Sequence, residues 1–441
     1  FVTTHVNTDL SVIDNNLNAT SYSLDSGRMI LNARYRGNVR HIIDSTTGKL
    51  SGFLEGKLEV INGTCRYPAR HLTFENLNVK AAFNTTDLNV TQLNTEVNGS
   101  PVFIKGKIQR LIPFLTAPNT RIYAKAEVYS PNLNLNASRG IPIRKRMARQ
   151  TRQKARKQLI TKIDRVLNRL ETDISLTLDQ FQFRHFNASA MKGQLQLTNK
   201  KLQINNLVMR AFQGNVNFTG QIDYLNDNPA HMNIFCRLRD TQIQQVFRAF
   251  DDFQQATITH QNIRGRWTSE GKIQASLKHD YTFVPGSFYG YLDFRLNDGV
   301  LLKFQPLKKI QRFIFKNRNF DEIHFAPLVS QFRFRGSEIE MDRMGIESTA
   351  LTLFVGGVYS FQNKTNMFVQ IPLSNLRKRR KDYALTIPQK HDGWSINLRA
   401  VDEGGDVKIK LDLGQRMRQR RQASSDSTTK SVYKTPLAIN Q

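Results

Sequence analysis

The feature that most constrains this chain is the alternation of apolar and polar residues with a period of two. Pairs of apolar residues separated by one polar residue would share one side of a β-strand. Examples are Leu195 with Leu197, Leu202 with Ile204, and Val216 with Phe218. Clusters rich in Asn, Asp and Gly, such as 225–229 and 296–299, separate these segments at hairpin spacing. The pattern predicts short strands with one apolar face.

Helical spacing of apolar residues occurs in only three places, at 144–169, 243–253 and 307–315. An apolar sheet face must be covered by helices, by a second sheet or by the curvature of the sheet itself. These helices are too few to cover so many strands, so the sheet either closes on itself or curls into a trough. We therefore predict a mainly β chain that forms an elongated, twisted, mostly antiparallel repeating β-groove with a few short helices.

Three segments of the chain, 88–106, 202–220 and 339–357, align without a gap. Their apolar positions coincide, and every copy ends on a glycine: Gly106, Gly220 and Gly357. The alignment predicts a repeat made of a strand, a connection, a second strand, then the glycine and a further strand. The counterparts of Val216 and Phe218 in the other copies are Val102, Ile104, Leu353 and Val355.

Positive charge is concentrated in three stretches. The chain has 64 Lys and Arg against 36 Asp and Glu, a formal net charge of +28, and much of the excess lies in 144–169, 377–381 and 416–421. Segment 144–169 has three possible interpretations: a solvated linker, a membrane-surface element or a nucleic-acid-binding segment. Nucleic acid is the least supported, because no zinc-finger, RNP-like or basic-zipper pattern accompanies the charge. Five basic residues are the candidates for contact with an anionic surface: Arg149, Arg152, Lys154, Arg156 and Lys157.

The sequence offers little for catalysis or for a cofactor. Two cysteines, Cys65 and Cys236, are too few for a disulfide framework or a Cys-rich metal module. The nine histidines show no H-E-x-x-H spacing, and no G-x-S-x-G, G-x-G-x-x-G or Walker-type loop is present. We therefore expect that the protein is not an enzyme and that it binds no metal and no cofactor. Glycan hydrolysis is the one activity left open, because two carboxylates distant in the sequence could meet in the fold.

The C-terminal third carries a family resemblance. Its segments are GYLDFRLNDG at 290–299, FQPLKK at 304–309, FKNRNF at 315–320, IHFAPL at 323–328, FRGSEI at 334–339, IESTAL at 346–351 and QIPLSNL at 370–376. Residues 285–415 resemble the C-terminal region of the AsmA family of Gram-negative bacteria, within the wider AsmA/TamB-like group. The strands at 181–224 fit less specifically, and the first 140 residues match only in their alternation and Asn-rich turns.

The resemblance implies a non-enzymatic lipid-conducting protein of the cell envelope that projects into the periplasm. A β-groove of this kind would shield phospholipid acyl chains that move between the inner and outer membranes, and would support outer-membrane assembly. The family's N-terminal membrane anchor has no counterpart in these residues, so anchoring in the inner membrane is expected only if the full-length protein adds such a helix. Expected partners are phospholipid acyl chains, an anionic membrane surface and other envelope proteins, without nucleic acid.

The groove prediction names ten lipid-facing residues: Val102, Ile104, Leu195, Leu197, Leu202, Ile204, Val216, Phe218, Leu353 and Val355. The predicted organisation has a groove segment at 1–140, a basic helical segment or linker at 141–172, a second groove segment at 173–284, an AsmA-like region at 285–415 and a basic tail at 416–441. Two other functions remain open, a structural or adhesive envelope protein and a polyanion-binding protein. Bound lipid would favour the groove, whereas a steep salt dependence for nucleic acid would favour the last.

Overall fold

A computed structural model describes sixteen parts of the 441-residue chain: 1–14, 23–38, 50–67, 72–111, 121–136, 169–198, 201–223, 229–254, 258–278, 282–304, 308, 320–360, 365–376, 385–388, 393–403 and 406–412. The chain divides into two compact units. Unit 1 comprises Phe1–His260 and Trp267–Val284, and unit 2 comprises Gln261–Arg266 and Pro285–Gln441.

The described residues are mainly β, as the alternation predicted. The first strands are β1 Val2–Asp9, β2 Ser23–Arg36, β3 Phe53–Tyr67, β4 Leu72–Asn84, β5 Leu88–Val97, β6 Ser100–Gln109, β7 Ile122–Ser130 and β8 Leu133–Asn134. The next are β9 Leu170–Phe183, β10 Phe186–Thr198, β11 Lys201–Ala211, β12 Gly214–Asp223, β13 Ala230–Gln242, β14 Ile263–Leu277 and β15 Phe288–Leu302. The last are β16 Glu322–His324, β17 Leu328–Gly336, β18 Glu338–Glu347, β19 Thr352–Ser360, β20 Asn366–Pro372, β21 Ser395–Glu403 and β22 Asp406–Leu411.

Helices are few and short. The described α-helices are α1 Leu10–Asp14 and α2 Ile243–Ala249, and 3₁₀ turns cover Asp251–Gln254 and Leu373–Leu376. Helix α2 confirms the helical spacing predicted at 243–253 as far as Ala249, whereas Asp251, Asp252 and Phe253 have positive φ and are not α-helical. The helix predicted at 307–315 and the basic helix predicted at 144–169 lie outside the described residues, apart from Lys308 and Arg169. No helix in the described ranges has the length and apolarity needed to cross a membrane.

Unit 1 is an open sheet in which strands that follow each other along the chain pair with each other. From β1 to β7 and from β9 to β13 every successive pair is antiparallel. Strands β7 and β9 pair in parallel, with Ile122 opposite Leu170 and Ser130 opposite Leu178. In the described residues, β1 pairs only with β2, so this sheet has a free edge there.

Unit 2 repeats the antiparallel arrangement. Strand β15 pairs with β17, and the order then continues through β18, β19, β20 and β21 to β22. The turn predicted at 296–299 is wrong, because these residues lie inside β15. The Asn-Asp-Gly cluster instead marks the level at which β15 changes its partner. Leu296 is the last residue opposite β17, and Val300 is the first opposite β16, with Asp298 in the left-handed region at φ 50°.

The three aligned segments form the same structure, which confirms the repeat. In each copy the glycine lies opposite the third residue of the segment: Val90 opposite Gly106, Ile204 opposite Gly220 and Met341 opposite Gly357. A β-bulge follows in each first strand, after which Leu93 faces Ile104, Leu207 faces Phe218 and Met344 faces Val355. The copies therefore share both their register and the position of an extra residue that bends the strand.

The glycine of the repeat lies inside the second strand and not at its end, which corrects the predicted boundary. A Cβ at Gly106 would lie 2.5 Å from the carbonyl oxygen of Lys125 on the next strand. At Gly220 and Gly357 it would collide with the carbonyl oxygens of Asn233 and Asn366. The repeat needs glycine because the backbone of the third strand approaches at this point, leaving no room for a side chain.

Among the described residues, each unit contains a closely packed, buried region. In unit 1, α2 closes one end of the sheet, where Ile243 and Val246 are 2% and 1% exposed. We call this the α2 end. In unit 2, Phe320, Ile323, Leu351 and Ile371 are almost fully buried together in one cluster.

Candidate functional site

One face of the unit 1 sheet is apolar across twelve strands, from β1 to β7 and from β9 to β13. Residues opposite each other on paired strands lie on the same face, so the register traces rows across the sheet. We call three adjacent rows the apolar floor. The first row is Val6, Leu31, Leu58, Ala81, Val90, Gly106, Ala126, Ile174, Leu195, Ile204, Gly220 and Ile234.

The other two rows flank the first. The second row is Thr8, Met29, Val60, Val79, Leu93, Ile104, Val128, Leu176, Gly193, Leu207, Phe218 and Cys236. The third row is Thr4, Ala33, Gly56, Phe83, Leu88, Ile108, Ala124, Thr172, Leu197, Leu202, Ile222 and Met232. None of these positions carries a charged residue.

The floor is long compared with a lipid tail. Strands in a sheet lie about 4.8 Å apart, so the twelve strands give a row of about 50 Å. The hydrocarbon core of a bilayer is about 30 Å thick, so one extended acyl chain covers about 15 Å. The floor of unit 1 therefore has room for several acyl chains, one after another across the strands.

Eight of the ten residues that the sequence predicted to face a ligand lie on this apolar face of unit 1. Leu195 and Ile204 belong to the first row, Ile104 and Phe218 to the second, and Leu197 and Leu202 to the third. Val102 and Val216 lie in the next row toward the α2 end, where Val216 faces Leu238 and Met209.

Burial separates the floor from that neighbouring row. Val102 and Val216 are 7% and 2% exposed, and Leu178, Met191 and Met209 in the same row are also buried. Most floor side chains are only half-buried, among them Ile104, Leu195, Leu197, Leu202 and Phe218. The described helices of unit 1 lie at strand ends. The floor therefore remains partly open to solvent, which is unusual for so large an apolar surface.

Bulges bend the strands at one level of the floor. The bulges of β5 and β11 both fall between the first and second rows, after Val90 and after Ile204. The β5 bulge also appears in the pairing with β4, where Lys80 lies opposite Gln92 and Ala81 opposite Val90. A bulge bends its strand and increases the local twist. Strands β5 and β11 therefore bend at the level between these two rows.

The remaining two predicted residues lie in unit 2. Val355 is half-buried and faces Met344 and Val369 on a one-sided apolar face of that sheet. Leu353 belongs to the closed cluster with Leu351 and Ile371 and is 6% exposed. Its place is in a packed core, whereas Val355 borders the more open part of the face.

The opposite face of the unit 1 sheet is mainly polar, and several of its charged side chains are paired. Arg237 donates two hydrogen bonds to Glu270, at 2.6 Å from Nε and 3.0 Å from Nη2, and this lowers the pKa of the Glu270 carboxyl. The Tyr129 hydroxyl donates to Asp179 at 2.7 Å, which raises the pKa of Tyr129. Such exposed pairs contribute little to stability, but they make this face the solvent-facing side of the sheet.

The two cysteines lie on the apolar face. Cys65 is half-buried opposite Phe74, and Cys236 is buried in the second row opposite Phe218. Burial raises the pKa of the Cys236 thiol to about 11. Because alkylation requires the thiolate, Cys236 should react slowly at neutral pH.

We expect iodoacetamide at pH 8 to modify Cys236 in the folded protein about 100-fold more slowly than in the denatured protein, because the raised pKa removes most of the thiolate. The rate should then rise about tenfold per pH unit until the pH approaches the thiol pKa. Mass spectrometry of the peptide that contains Cys236 measures the rate. Equal rates in the folded and denatured proteins at pH 8 would contradict this burial of the thiol.

Several floor residues were missed by the sequence analysis, which concentrated on β10–β12 and the aligned repeats. Leu58, Val79, Ile174 and Ile234 complete the rows between the predicted positions. Their alternation was available in the sequence as a signal. Small residues such as Ala126 could not be assigned to the floor from the sequence, because a single alanine is found on either face of a strand.

Nothing in the described parts of the chain forms a group of three or more metal-binding side chains. The five predicted anionic-surface residues, Arg149, Arg152, Lys154, Arg156 and Lys157, lie outside the described residues. Comparison of the chain with protein-family models, with curated proteins and with solved structures gave no match.

Proposed function

We propose that this protein is a non-enzymatic lipid-conducting β-groove protein that shields phospholipid acyl chains on its apolar floor. The observation that carries the proposal is the floor itself, three uncharged rows that continue across twelve strands and whose side chains are mostly half-buried. Covering apolar surface with an acyl chain gains about 25 cal/mol for each Å² removed from water. A packed core would already have gained this free energy, whereas the open floor gains it only when a ligand binds.

The absence of charge on the floor favours an apolar ligand over a polar one. A sugar or a nucleotide needs hydrogen-bonding side chains that fix its orientation, and the three rows offer few beyond Thr4, Thr8 and Thr172. An acyl chain needs none. The continuity of the rows suits a flexible ligand that can slide, because no charged side chain interrupts them.

The compartment and the route belong to the same proposal and rest on the AsmA-like sequence of 285–415. We place the protein in the periplasm of a Gram-negative envelope, where it would move phospholipid between the inner and outer membranes and support outer-membrane assembly. The basic residues at 149–157 would hold it at anionic membrane surfaces, and other envelope proteins would be its further partners. No cofactor is needed.

Native mass spectrometry of the chain purified from bacterial membranes in mild detergent tests the proposal. We expect adducts with the masses of phospholipids, and extraction with organic solvent should release the same species. A sample in which the first detergent has been exchanged for an alkylglucoside is the control, because adducts of the detergent change mass and adducts of phospholipid do not. A protein that carries no lipid under these conditions, and takes up none from vesicles, would contradict a lipid-conducting function and favour a structural or adhesive role.

A further inference from the structure

We propose that the α2 end of unit 1 is a membrane-docking tip, which inserts two stacked phenylalanines into a lipid bilayer. The tip consists of Phe250 and Phe253, which follow α2, with Phe212 beneath them. Phe250 and Phe253 are 43% and 42% exposed, and their rings stack at 5.7 Å with planes 14° apart. Two large apolar rings exposed side by side are uncommon on a surface that only meets water.

The exposure of this pair is imposed by the backbone. Asp251, Asp252 and Phe253 all have positive φ, at 51°, 52° and 54°. Three successive non-glycine residues in this region form a left-handed turn that is disfavoured for L-residues. His260 holds the turn, because its backbone N–H donates to Asp252 Oδ1 at 2.7 Å and its ring Nδ1 lies 2.9 Å from Oδ2. A strained turn that is held in place by hydrogen bonds indicates a function for the residues it exposes, here Phe250 and Phe253.

An aromatic path connects the tip with the sheet. The ring of Phe250 contacts that of Phe212 at 6.4 Å, and Phe212 contacts Phe186 at 5.5 Å. Phe212 is itself in the left-handed region at φ 55° in the turn between β11 and β12. Ala211, the residue before it, is buried on the apolar face together with Met209. The tip is thus joined to the apolar side of the sheet through buried residues of the row nearest the α2 end.

Charge around the tip also suits a lipid surface. Four exposed arginines lie near the α2 end, and they outnumber the three aspartates beside them, Asp240, Asp251 and Asp252. The arginines are Arg184, Arg210, Arg239 and Arg248. Guanidinium groups bind phosphate with two parallel hydrogen bonds, and cationic side chains beside inserted aromatic rings are typical of proteins that lie on a bilayer. The occupant of this surface is therefore a phospholipid bilayer.

The test is flotation of the full chain with phosphatidylcholine vesicles in high salt, which screens the basic segments. The double variant Phe250→Ser/Phe253→Ser should bind these vesicles on the order of 10- to 100-fold more weakly, because it lacks the apolar rings that insert. The matched control is Phe103→Ser. Phe103 is 38% exposed and stacks on Tyr129 at 5.8 Å, but it lies on the polar face of the sheet. The control should bind as the parent does.

A second measurement does not depend on loss of binding. In Phe253→Trp, brominated phospholipid should quench the added indole fluorescence relative to the parent, whose tryptophans are Trp267 and Trp394. Unchanged vesicle binding by the double variant, an equal loss in the Phe103→Ser control, or an unquenched Phe253→Trp would each overturn the proposal. The proposal would also be overturned if the parent were a dimer that binds no vesicles and the double variant were a monomer. The tip would then be an interface between two copies of the chain.

This inference rests on the proposed function, because lipid conduction is the reason for docking at a membrane. Experiments can nevertheless refute either proposal without refuting the other. If only docking is wrong, the purified double variant and the parent carry the same phospholipid adducts and bind vesicles equally. If only lipid conduction is wrong, the parent still binds vesicles through the tip but carries no lipid. Native mass spectrometry and flotation on the same samples distinguish these outcomes.

Discussion

Replacing Gly220 with alanine is expected to destabilise unit 1 by about 4 kcal/mol, one of the larger effects that a single methyl group can have. The added Cβ would meet the carbonyl oxygen of Asn233, which belongs to β13 and cannot move without breaking its pairing with β12. The backbone at Gly220 also has φ 141°, where a side chain is strained. Urea unfolding, followed by circular dichroism, measures the change in the free energy of unfolding.

Gly99→Ala is the matched control for this prediction. Gly99 also has a positive φ, 81°, but a Cβ there has no atom within 4 Å. Its substitution therefore isolates the backbone strain and should cost about 1 kcal/mol. If Gly220→Ala were no more damaging than Gly99→Ala, the close approach of β13 would not be what requires glycine in the repeat. The same comparison applies to Gly357 in unit 2, where the Asn366 carbonyl oxygen occupies the corresponding place.

Phe218→Asp is expected to leave the protein folded but to lower its bound phospholipid on the order of 100-fold. Phe218 is half-buried on the second row of the floor, so water reaches an added carboxylate when no lipid is present. A bound acyl chain would exclude that water, and an unpaired charge in an apolar environment costs several kcal/mol. Lipid extraction with mass spectrometry reports occupancy, and thermal melting reports folding. Ile204→Asp should act in the same way with a larger loss of stability, because Ile204 is only 9% exposed.

Two controls bracket the floor variants. Phe103→Asp places the same charge on β6 next to the floor residue Ile104 but on the opposite face, and it should change neither folding nor lipid content. Leu178→Asp places it at a position that is 2% exposed, where an unpaired buried charge should unfold unit 1. If Phe218→Asp unfolds the protein as Leu178→Asp does, the face is a closed core. If it folds and keeps its lipid, the floor is not the lipid path.

Much of the local structure could be read from the sequence. Alternation placed Leu195, Leu197, Leu202 and Ile204 on one side of adjacent strands, and the structure has them on one face. The ungapped alignment of three segments predicted a repeat whose pairing and bulge positions the structure reproduces. Both signals are local, because the side chains of a strand alternate between its faces regardless of the strand's partners. The spacing at 243–253 likewise identified α2, which is a local period of another kind.

The sequence could not show which strands would become neighbours. The parallel pairing of β7 with β9 joins β1–β7 to β9–β13 in one sheet and makes the floor continuous, yet no pattern within either strand encodes it. The same limit explains the wrong turn at 296–299. Asn-Asp-Gly fits a hairpin locally, but the partners β16 and β17 lie on successive parts of β15 and keep it extended. Strand pairing is decided by contacts between residues far apart in the chain.

The sequence alone determined the residue types of this protein's two faces, and only the tertiary structure decided how much of the apolar face is left open. Val216 and Phe218 are equally apolar and share one side of β12, but Val216 is buried and Phe218 is half-buried. The difference arises because Val216 lies nearer the α2 end, where residues from several strands and α2 pack together. Alternation specifies the face of the strand on which a side chain lies. The burial of that side chain depends on the residues from other elements that pack against it.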